Sequence, residues 1–424
     1  MKLSKTLLTV FLLCILKLNA QDHKTYLSSH KSNFKSDSSA FFSQFDSTFY
    51  SNNIFLLGET HGYADAQTID FELLKHLNSK LGLTNYLAEM SFSQAHFVNK
   101  YLETGDSTNL DFLFKYYYKS TMLGNSQWGN NEFYSKIQKI YAFNKGISPK
   151  IRFIGIDLPS DRRFVKAHLK EITTMSNYII GKNLFLDSLA ICLNNDSLKL
   201  AQMAHLCGKI QNDIPIHADK YQSIFKDNLP EFEYLIADVL MTNGKISRDS
   251  AFVYNLERIT KLKHLENKKL YGLFGYSHIN QSEINKFTPF AAKLVAKNKK
   301  VVSINILTAD GEMLVKSSYL PFFLRKKGEI MTSTNYMNDN SMINKAVGIN
   351  DLMDLTDKSS ISLFKLDAKN SPYFNGLKLA THDTNIPGMG GGYKATKPNA
   401  NTCDYFQYVF LSRNSKPLTV REVK

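Results

Sequence analysis

The sequence has few cysteines, and several motifs of common hydrolases are missing from it. Its 424 residues include 4 cysteines and 1 tryptophan, which is too little cysteine for a disulfide scaffold. Cys192 and Cys207 are separated suitably for one bridge, and free thiols are the alternative. There is no Gly-x-Ser-x-Gly elbow, no His-Glu-x-x-His helix and no P-loop. These absences argue against ordinary serine-hydrolase, zincin and P-loop chemistry.

Long apolar runs are also scarce. The first twenty residues hold Lys2, Lys5 and Lys17, no acid, and an apolar core from Leu7 to Leu16 that is too short to span a bilayer. Ala20 is a small residue of the kind that precedes a cleavage site. We therefore predict a signal peptide and an exported protein, either periplasmic or extracellular. No later apolar stretch approaches the roughly 18 residues of a membrane helix, so no membrane span is predicted.

Acidic residues are outnumbered by basic ones, 38 to 52, which gives a formal net charge of +14. The basic residues are spread along the chain, a distribution typical of a solvated, lysine-rich surface. We therefore predict no nucleic-acid partner. The sequence carries no indication of oligomeric state.

Apolar runs of strand length alternate with helical patterns. Residues Ile54 to Leu57 form a continuous apolar run that stops at Gly58, as expected of a strand buried on both faces. From Asp65 onward, leucine or isoleucine recurs every four residues, which predicts an amphipathic helix. Further strands are predicted at Tyr86–Ala88, Ile151–Ile156, Leu270–Phe274, Val301–Leu307 and Tyr405–Leu411. This alternation predicts an α/β fold with a mainly parallel sheet flanked by helices.

The domain organisation follows from the remaining segments. Residues 21–45 are polar and serine-rich and are interpreted as an N-terminal arm. Residues 46–424 are predicted to form one α/β domain, with a helical insertion at about 163–262. The glycine-rich segment 388–392 lacks the Lys-Ser/Thr pair of a P-loop and is interpreted as a mobile loop near the site.

Polar residues follow four of the predicted strands directly. Glu59 and His61 follow the first strand, Glu89 the second, Asp157 the third and His278 the fourth. Ligands of parallel sheets bind beyond the carboxyl ends of the strands, so these five side chains are the candidate site.

Each of the two histidines closes a Gly-x-x-His tetrad, from Gly58 to His61 and from Gly275 to His278. Glycine permits a tight turn that exposes the histidine at the sheet edge. An imidazole titrates near neutrality and can act as general base, general acid or metal ligand. Glu59 lies two residues before His61 and is expected to orient its ring. Water activated by a histidine is therefore the predicted chemistry.

Two of the carboxylates have alternative interpretations. Glu89 is expected from a neighbouring strand, either as a second carboxylate of the site or as a salt-bridge partner for Arg152 or Arg162. Asp157 is either a site carboxylate or a helix cap or turn former.

The paired tetrads, with Glu59 and Glu89, resemble the superfamily that joins the erythromycin esterases, the ChaN-like haem-uptake proteins and the TraB and Tiki proteins. Within it, the chain most resembles the erythromycin esterases, over roughly residues 50–310. Further segments that carry the resemblance are Trp128–Glu132, Asn144, Arg152–Asp157, Arg248-Asp249 and Asn255.

This resemblance implies hydrolysis of an ester or lactone of a small-molecule substrate by water, without an essential metal or other cofactor. By the same resemblance His61 is the base and Glu59 its partner, while Glu89 and His278 complete the site. One feature differs, because the erythromycin esterases place one more residue between the glutamate and the histidine. The shorter spacing here resembles the ChaN and Tiki branches. Two alternatives thus stay open: a metal-dependent hydrolase or protease with His61, His278 and Glu89 as ligands of a divalent metal, and a protein that binds haem or another small ligand.

Overall fold

A computed structural model describes most of the chain. The described residues are 22–34, 39–122, 127–195, 197, 200–242, 244–320, 322, 325–335, 338–342, 344–384 and 393–423. The predicted signal peptide and the glycine-rich segment 388–392 lie outside them. None of the described helices has the length and apolar character that crossing a bilayer requires.

The strands of the structure include all those predicted from the sequence. In chain order they are β1 (Lys31–Asn33), β2 (Ile54–Glu59), β3 (Asn85–Ser91), β4 (Arg152–Asp157), β5 (Leu270–Gly275), β6 (Val301–Ala309), β7 (Met313–Lys316), β8 (Met331–Thr334), β9 (Asp339–Asn340), β10 (Asn344–Ala346), β11 (Ile361–Lys365), β12 (His382–Asp383) and β13 (Tyr408–Arg413). Eight of them form the central sheet in the order β1-β11-β13-β6-β2-β5-β3-β4. Neighbours from β13 to β4 pair in parallel, and β11 pairs antiparallel with both β13 and β1. The predicted mainly parallel α/β fold is confirmed.

The α-helices lie between these strands and cover the sheet. They are α1 (His23–Ser29), α2 (Ser47–Tyr50), α3 (Asp65–Leu81), α4 (Phe92–Thr104), α5 (Thr108–Met122), α6 (Asn131–Asn144), α7 (Arg162–Met175), α8 (Leu184–Asn194), α9 (Leu200–Asp213), α10 (Ala218–Phe225), α11 (Leu229–Met241), α12 (Arg248–Leu262), α13 (Phe290–Ala296) and α14 (Ile349–Met353). In α3, Ile69, Leu73 and Leu77 are buried at four-residue intervals, as the sequence pattern predicts.

The sheet separates two apolar cores. Along β2, Ile54 and Leu56 pack into one core, and Phe55 and Leu57 pack into the other. Side chains of a strand alternate between the two faces, so a strand covered on both faces must be apolar at every position. This explains why β2 appears in the sequence as a continuous apolar run.

Helices α7 to α12 occupy most of the chain between β4 and β5, where the sequence predicts a helical insertion. Buried side chains of α9 and α11 belong to the same apolar core as one face of the sheet, among them Cys207 and Leu235. Cys192 and Cys207 are free thiols, so the bridge that their separation permits is not formed.

The two ends of the described chain meet at one edge of the sheet. The segment interpreted as a polar arm contributes α1 and the edge strand β1, and Phe41 and Phe42 are buried in the core. Residues 328–402, whose structure the sequence pattern does not predict, supply α14, the strand β11 and several short strands. The chain before β2 is thus anchored to its C-terminal part.

Candidate active site

The two Gly-x-x-His turns meet because β2 and β5 are adjacent in the sheet. Glu59 is aligned with Gly275, and the amide of Tyr276 donates a hydrogen bond of 2.8 Å to the Glu59 carbonyl. The amide of His278 bonds to the Gly275 carbonyl at 2.9 Å, which closes the second turn. Two histidines far apart in sequence therefore reach the same edge of the sheet.

Neighbouring side chains approach the glycines of both tetrads closely. A Cβ at Gly58 would lie 2.5 Å from the Ile279 side chain. A Cβ at Gly275 would lie 3.1 Å from His61 Nε2 and 3.5 Å from His278 Cδ2. The two imidazoles therefore pack over one glycine, and any side chain there would occupy the space between them.

His61 is held by a buried carboxylate. Its Nδ1 lies 3.0 Å from Glu59 Oε1, and Gln67 Nε2 donates to the other oxygen of Glu59 at 3.4 Å. The Glu59 side chain is 5% exposed and that of His61 is 35% exposed, so the ring reaches solvent while its partner does not. Because the carboxylate accepts the Nδ1 hydrogen, Nε2 of the neutral ring carries the free lone pair. That lone pair is what a general base requires.

The charge of Glu59 also sets the basicity of His61. Burial lowers the pKa of His61, but the hydrogen bond and negative charge of Glu59, together with the charge of Glu89, raise it more. The net pKa is above the ordinary value of 6.5. The ring is therefore a stronger base than a free imidazole.

His278 is held in the same way by Asp249, a residue outside the predicted set. His278 Nδ1 lies 2.9 Å from Asp249 Oδ1, which also accepts the amide hydrogen of Phe290 at 2.5 Å. On the other side of the ring, Nε2 lies 3.7 Å from Glu89 Oε1. Asp249 was visible in the sequence only as part of the Arg248-Asp249 pair, in the first turn of α12.

Glu89 lies between the two histidines and a single arginine. Its Oε2 accepts the amide hydrogen of Gly275 at 2.6 Å, and its Oε1 lies 2.9 Å from the Arg248 guanidinium. Of the two expected salt-bridge partners, Arg152 pairs instead with Glu103 at 3.1 Å, and the cation that the structure shows at Glu89 is Arg248. The sequence could not identify this cation, which comes from a helix remote in the chain.

The strand that delivers Glu89 is not a neighbour of the strand that delivers Glu59. Strand β5 lies between β2 and β3, so the expectation of adjacent strands is wrong. Glu89 nevertheless reaches the site because its carboxylate extends to the β5 backbone at Gly275.

Asp157 is bound on the far side of Arg248. Arg248 Nε lies 3.2 and 3.1 Å from the two carboxylate oxygens, a terminal guanidinium nitrogen also contacts Asp157, and the Leu158 amide donates at 2.8 Å. Burial raises the pKa of Asp157 more than Arg248 lowers it. Arg248 thus connects the ends of β3 and β4, and its side chain remains 42% exposed.

The charges around Glu89 stabilise its ionised form. Burial raises the pKa of Glu89, but the neighbouring His61, Arg248 and His278, with the Gly275 amide, lower it more. The net pKa is below the ordinary range, so this buried carboxylate is negatively charged at neutral pH. The five predicted side chains therefore belong to one charged network, to which the structure adds Arg248 and Asp249.

A small cavity lies on the side of the sheet covered by α3 and α6. Glu59 and Glu89 line it together with Gln67, Tyr86, Gln127, Trp128, Phe133 and Lys136, among others. Lys136 Nζ forms a buried ion pair with Asp70 Oδ2 at 2.5 Å beside this cavity. The two glutamates of the site thus also border a cavity lined by further polar side chains.

The metal alternative requires ligand atoms that converge. Within the described part of the chain, one group of three histidine or acidic residues has ligand atoms all within 4.8 Å of one another, and it lies elsewhere, on helices. The ligand set of the metal alternative, His61, His278 and Glu89, does not have this spacing. Glu89 instead has an arginine and a backbone amide as its partners.

Solved structures share the fold over nearly the whole chain. A structural-genomics protein from Bacillus cereus superposes with a TM-score of 0.67 at 15% identity, covering 94% of this chain and 98% of the other. A succinoglycan biosynthesis protein gives a TM-score of 0.60 at 15% identity, with the same coverage. The erythromycin esterase EreC, as a histidine-to-asparagine variant in its open conformation, gives 0.60 at 13% identity, covering 90% of this chain and 96% of the other. No family model matches the sequence, and no curated protein is significantly similar to it.

At these identities the likeness establishes the fold. The mainly parallel sheet with flanking helices is that of the erythromycin-esterase-like neighbours, over almost their full length. The predicted resemblance to erythromycin esterases therefore holds at the level of a distant fold relationship.

Proposed function

We propose that the protein is a hydrolase of ester or lactone bonds in which His61 activates water. One observation carries the proposal: a buried glutamate holds Nδ1 of a solvent-accessible histidine, so Nε2 is free to accept a proton. A second carboxylate-held imidazole, His278, packs over the same glycine. The fold shared with an erythromycin esterase supports the same class of reaction.

The proposed reaction begins when His61 Nε2 removes a proton from a water molecule while the water oxygen attacks the carbonyl carbon of the ester. Glu59 stabilises the imidazolium that forms. The tetrahedral intermediate carries its negative charge on the former carbonyl oxygen. When it collapses, the bond to the alcohol oxygen breaks, and the imidazolium returns its proton to that oxygen. Water and ester are thus converted to an acid and an alcohol, with no external oxidant or reductant.

Arg248 is the proposed stabiliser of the oxyanion. Its guanidinium contacts Glu89 Oε1, the same oxygen that His278 Nε2 approaches, and part of its surface faces solvent. A fixed positive charge beside developing negative charge stabilises a transition state more than the uncharged substrate. His278, oriented by Asp249, is proposed to position the substrate.

The experiment that tests the function is a substrate panel with purified protein. We expect cleavage of p-nitrophenyl acetate and butyrate and of a macrolide lactone, with no cleavage of p-nitrophenyl phosphate. The same assays after exhaustive chelation should give unchanged rates, because no step is assigned to a metal. Loss of all ester cleavage on chelation, in a protein whose melting curve shows that it is still folded, would contradict the water-activating role of His61 and favour the metal alternative. Absence of ester and lactone cleavage under all conditions would overturn the proposal.

The pH dependence of the reaction provides a separate prediction. The base is inactive when protonated, so kcat/KM should fall as the pH falls, with a midpoint above 6.5 because Glu59 raises the pKa of His61. Glu59→Gln removes the negative charge and should move this midpoint to lower pH while reducing the maximal rate. The measurement is kcat/KM between about pH 5 and about pH 9 for both proteins. An identical acid limb in the variant would show that Glu59 does not control the base.

A further inference from the structure

A second cluster of histidine and carboxylate side chains lies on helices, away from the strand ends. His96 belongs to α4, His168 and Glu171 belong to α7, and Glu231 lies in the first turn of α11. One ligand atom each of His96, His168 and Glu231 lies within 4.8 Å of the other two. The proposed reaction uses none of these residues.

The two rings and the two carboxylates form a compact arrangement. The imidazoles of His96 and His168 stack with centroids 3.7 Å apart and planes 20° apart. His168 Nε2 lies 3.1 Å from Glu231 Oε1, and His96 Nε2 lies 2.8 Å from Glu171 Oε2. Each ring thus presents its Nε2 to a carboxylate oxygen.

Lysines hold the carboxylates in this orientation. Lys263 Nζ lies 2.8 Å from the outer oxygen of Glu231, and Lys100 Nζ lies 2.8 Å from the outer oxygen of Glu171. The inner oxygens are therefore the ones that face the imidazoles. Hydrogen bonds of this kind to the outer oxygen fix the direction of a carboxylate ligand.

His168 can adopt the tautomer that a metal ligand requires. When Nε2 gives up its hydrogen to bind a metal, Nδ1 can donate its own hydrogen to Ser93 Oγ, which lies 3.4 Å away. His168 is fully buried, whereas the side chains of His96 and Glu231 are each 24% exposed, so the cluster is open to solvent on one side.

We propose that His96, His168 and Glu231 bind a divalent transition metal of the Zn²⁺ type, with the fourth position open to water. Two imidazole nitrogens and carboxylate oxygens are ligands that Zn²⁺ accepts, whereas Mg²⁺ and Ca²⁺ prefer all-oxygen sites. Bonds of about 2.0–2.2 Å place neighbouring ligands about 3.0–3.5 Å apart, which is the separation of His168 Nε2 and Glu231 Oε1. The third donor is His96, one ring nitrogen of which lies within 4.8 Å of the other two ligand atoms.

The position of this site gives the metal a structural role. Helix α4 packs against β4, whereas α7 and α11 belong to the helical insertion. A metal bound to side chains from all three would connect the insertion to the sheet. Binding to the folded state alone should then raise the thermal stability of the protein.

The test is zinc titration of the full-length, untagged protein after chelation and removal of the chelator. We expect one Zn²⁺ to bind per chain by calorimetry, and the melting temperature to rise by at least about 2 °C at saturating zinc. His96→Gln and Glu231→Gln change partly exposed side chains and should each weaken binding by at least about 10-fold. Melting curves without zinc show that each variant is folded.

Two control variants test whether zinc binds at this cluster and not at another histidine. His61→Ala removes a histidine of the candidate active site and His205→Ala removes an exposed histidine of α9; both should bind zinc as the parent protein does. Co²⁺ should give the visible absorption of a nitrogen- and oxygen-bound tetrahedral ion in the parent and lose it in His96→Gln. Binding that survives in both His96→Gln and Glu231→Gln, binding lost in His61→Ala, or no binding at micromolar zinc would overturn the proposal.

Discussion

Replacing His61 by alanine is expected to lower kcat for an activated ester by at least about 100-fold and to change KM much less. The base acts in the step in which water attacks, so its loss affects the transition state more than substrate binding. Steady-state kinetics on p-nitrophenyl butyrate would measure both constants. The His61 ring is partly exposed, so its removal leaves no sealed void in the core.

Two controls separate catalysis from stability in this experiment. His205→Ala removes an exposed imidazole from α9 and should retain the parent rate. Thermal melting of His61→Ala should show a folded protein. A rate within twofold of the parent enzyme would remove His61 from the mechanism and leave His278 as the remaining imidazole in the crevice.

Elements such as β2 and α3 could be predicted because their sequence patterns are local. The apolar run Ile54 to Leu57 and the four-residue repeat of α3 each depend on residues close in sequence. The order of strands is not local, and the insertion of β5 between β2 and β3 has no counterpart in the pattern along the chain. For this reason Glu59 and Glu89 were correctly expected at one edge but wrongly expected on adjacent strands.

In the candidate active site, too, local contacts could be predicted from the sequence and contacts between distant segments could not. His61 and Glu59 are two residues apart, and the geometry of an extended chain predicts their contact. Asp249 lies in the first turn of a helix, where acidic residues are common for reasons unrelated to function, and Arg248 directly precedes it. Only the fold shows that they contact Glu89 and His278.

The C-terminal part of the chain lacked a readable pattern for a physical reason. Strands β9, β10 and β12 have two or three residues each, which is too short for alternation to appear. The arm before β2 is polar overall, yet a few aromatic side chains such as Phe41 and Phe42 anchor it in the core. Average composition did not reveal these anchors.

Replacing Arg248 by alanine is expected to lower kcat/KM by about 100-fold or more and to destabilise the fold. The loss of rate follows from removal of the proposed oxyanion stabiliser. The loss of stability follows because Glu89, which is buried, keeps its carboxylate but loses its cation, at a cost of about 1–3 kcal/mol. Arg248→Lys should recover only part of either loss, since one ammonium cannot span Glu89 and Asp157 as the planar guanidinium does.

The double variant Arg248→Ala with Glu89→Gln separates these two effects. A neutral amide at position 89 needs no cation, so urea unfolding should show stability regained relative to Arg248→Ala alone. The rate should stay low, because the positive charge that faces the carbonyl oxygen is still missing. Recovery of stability and rate together would mean that Arg248 acts by maintaining the ends of β3 and β4, and the oxyanion would then need another donor.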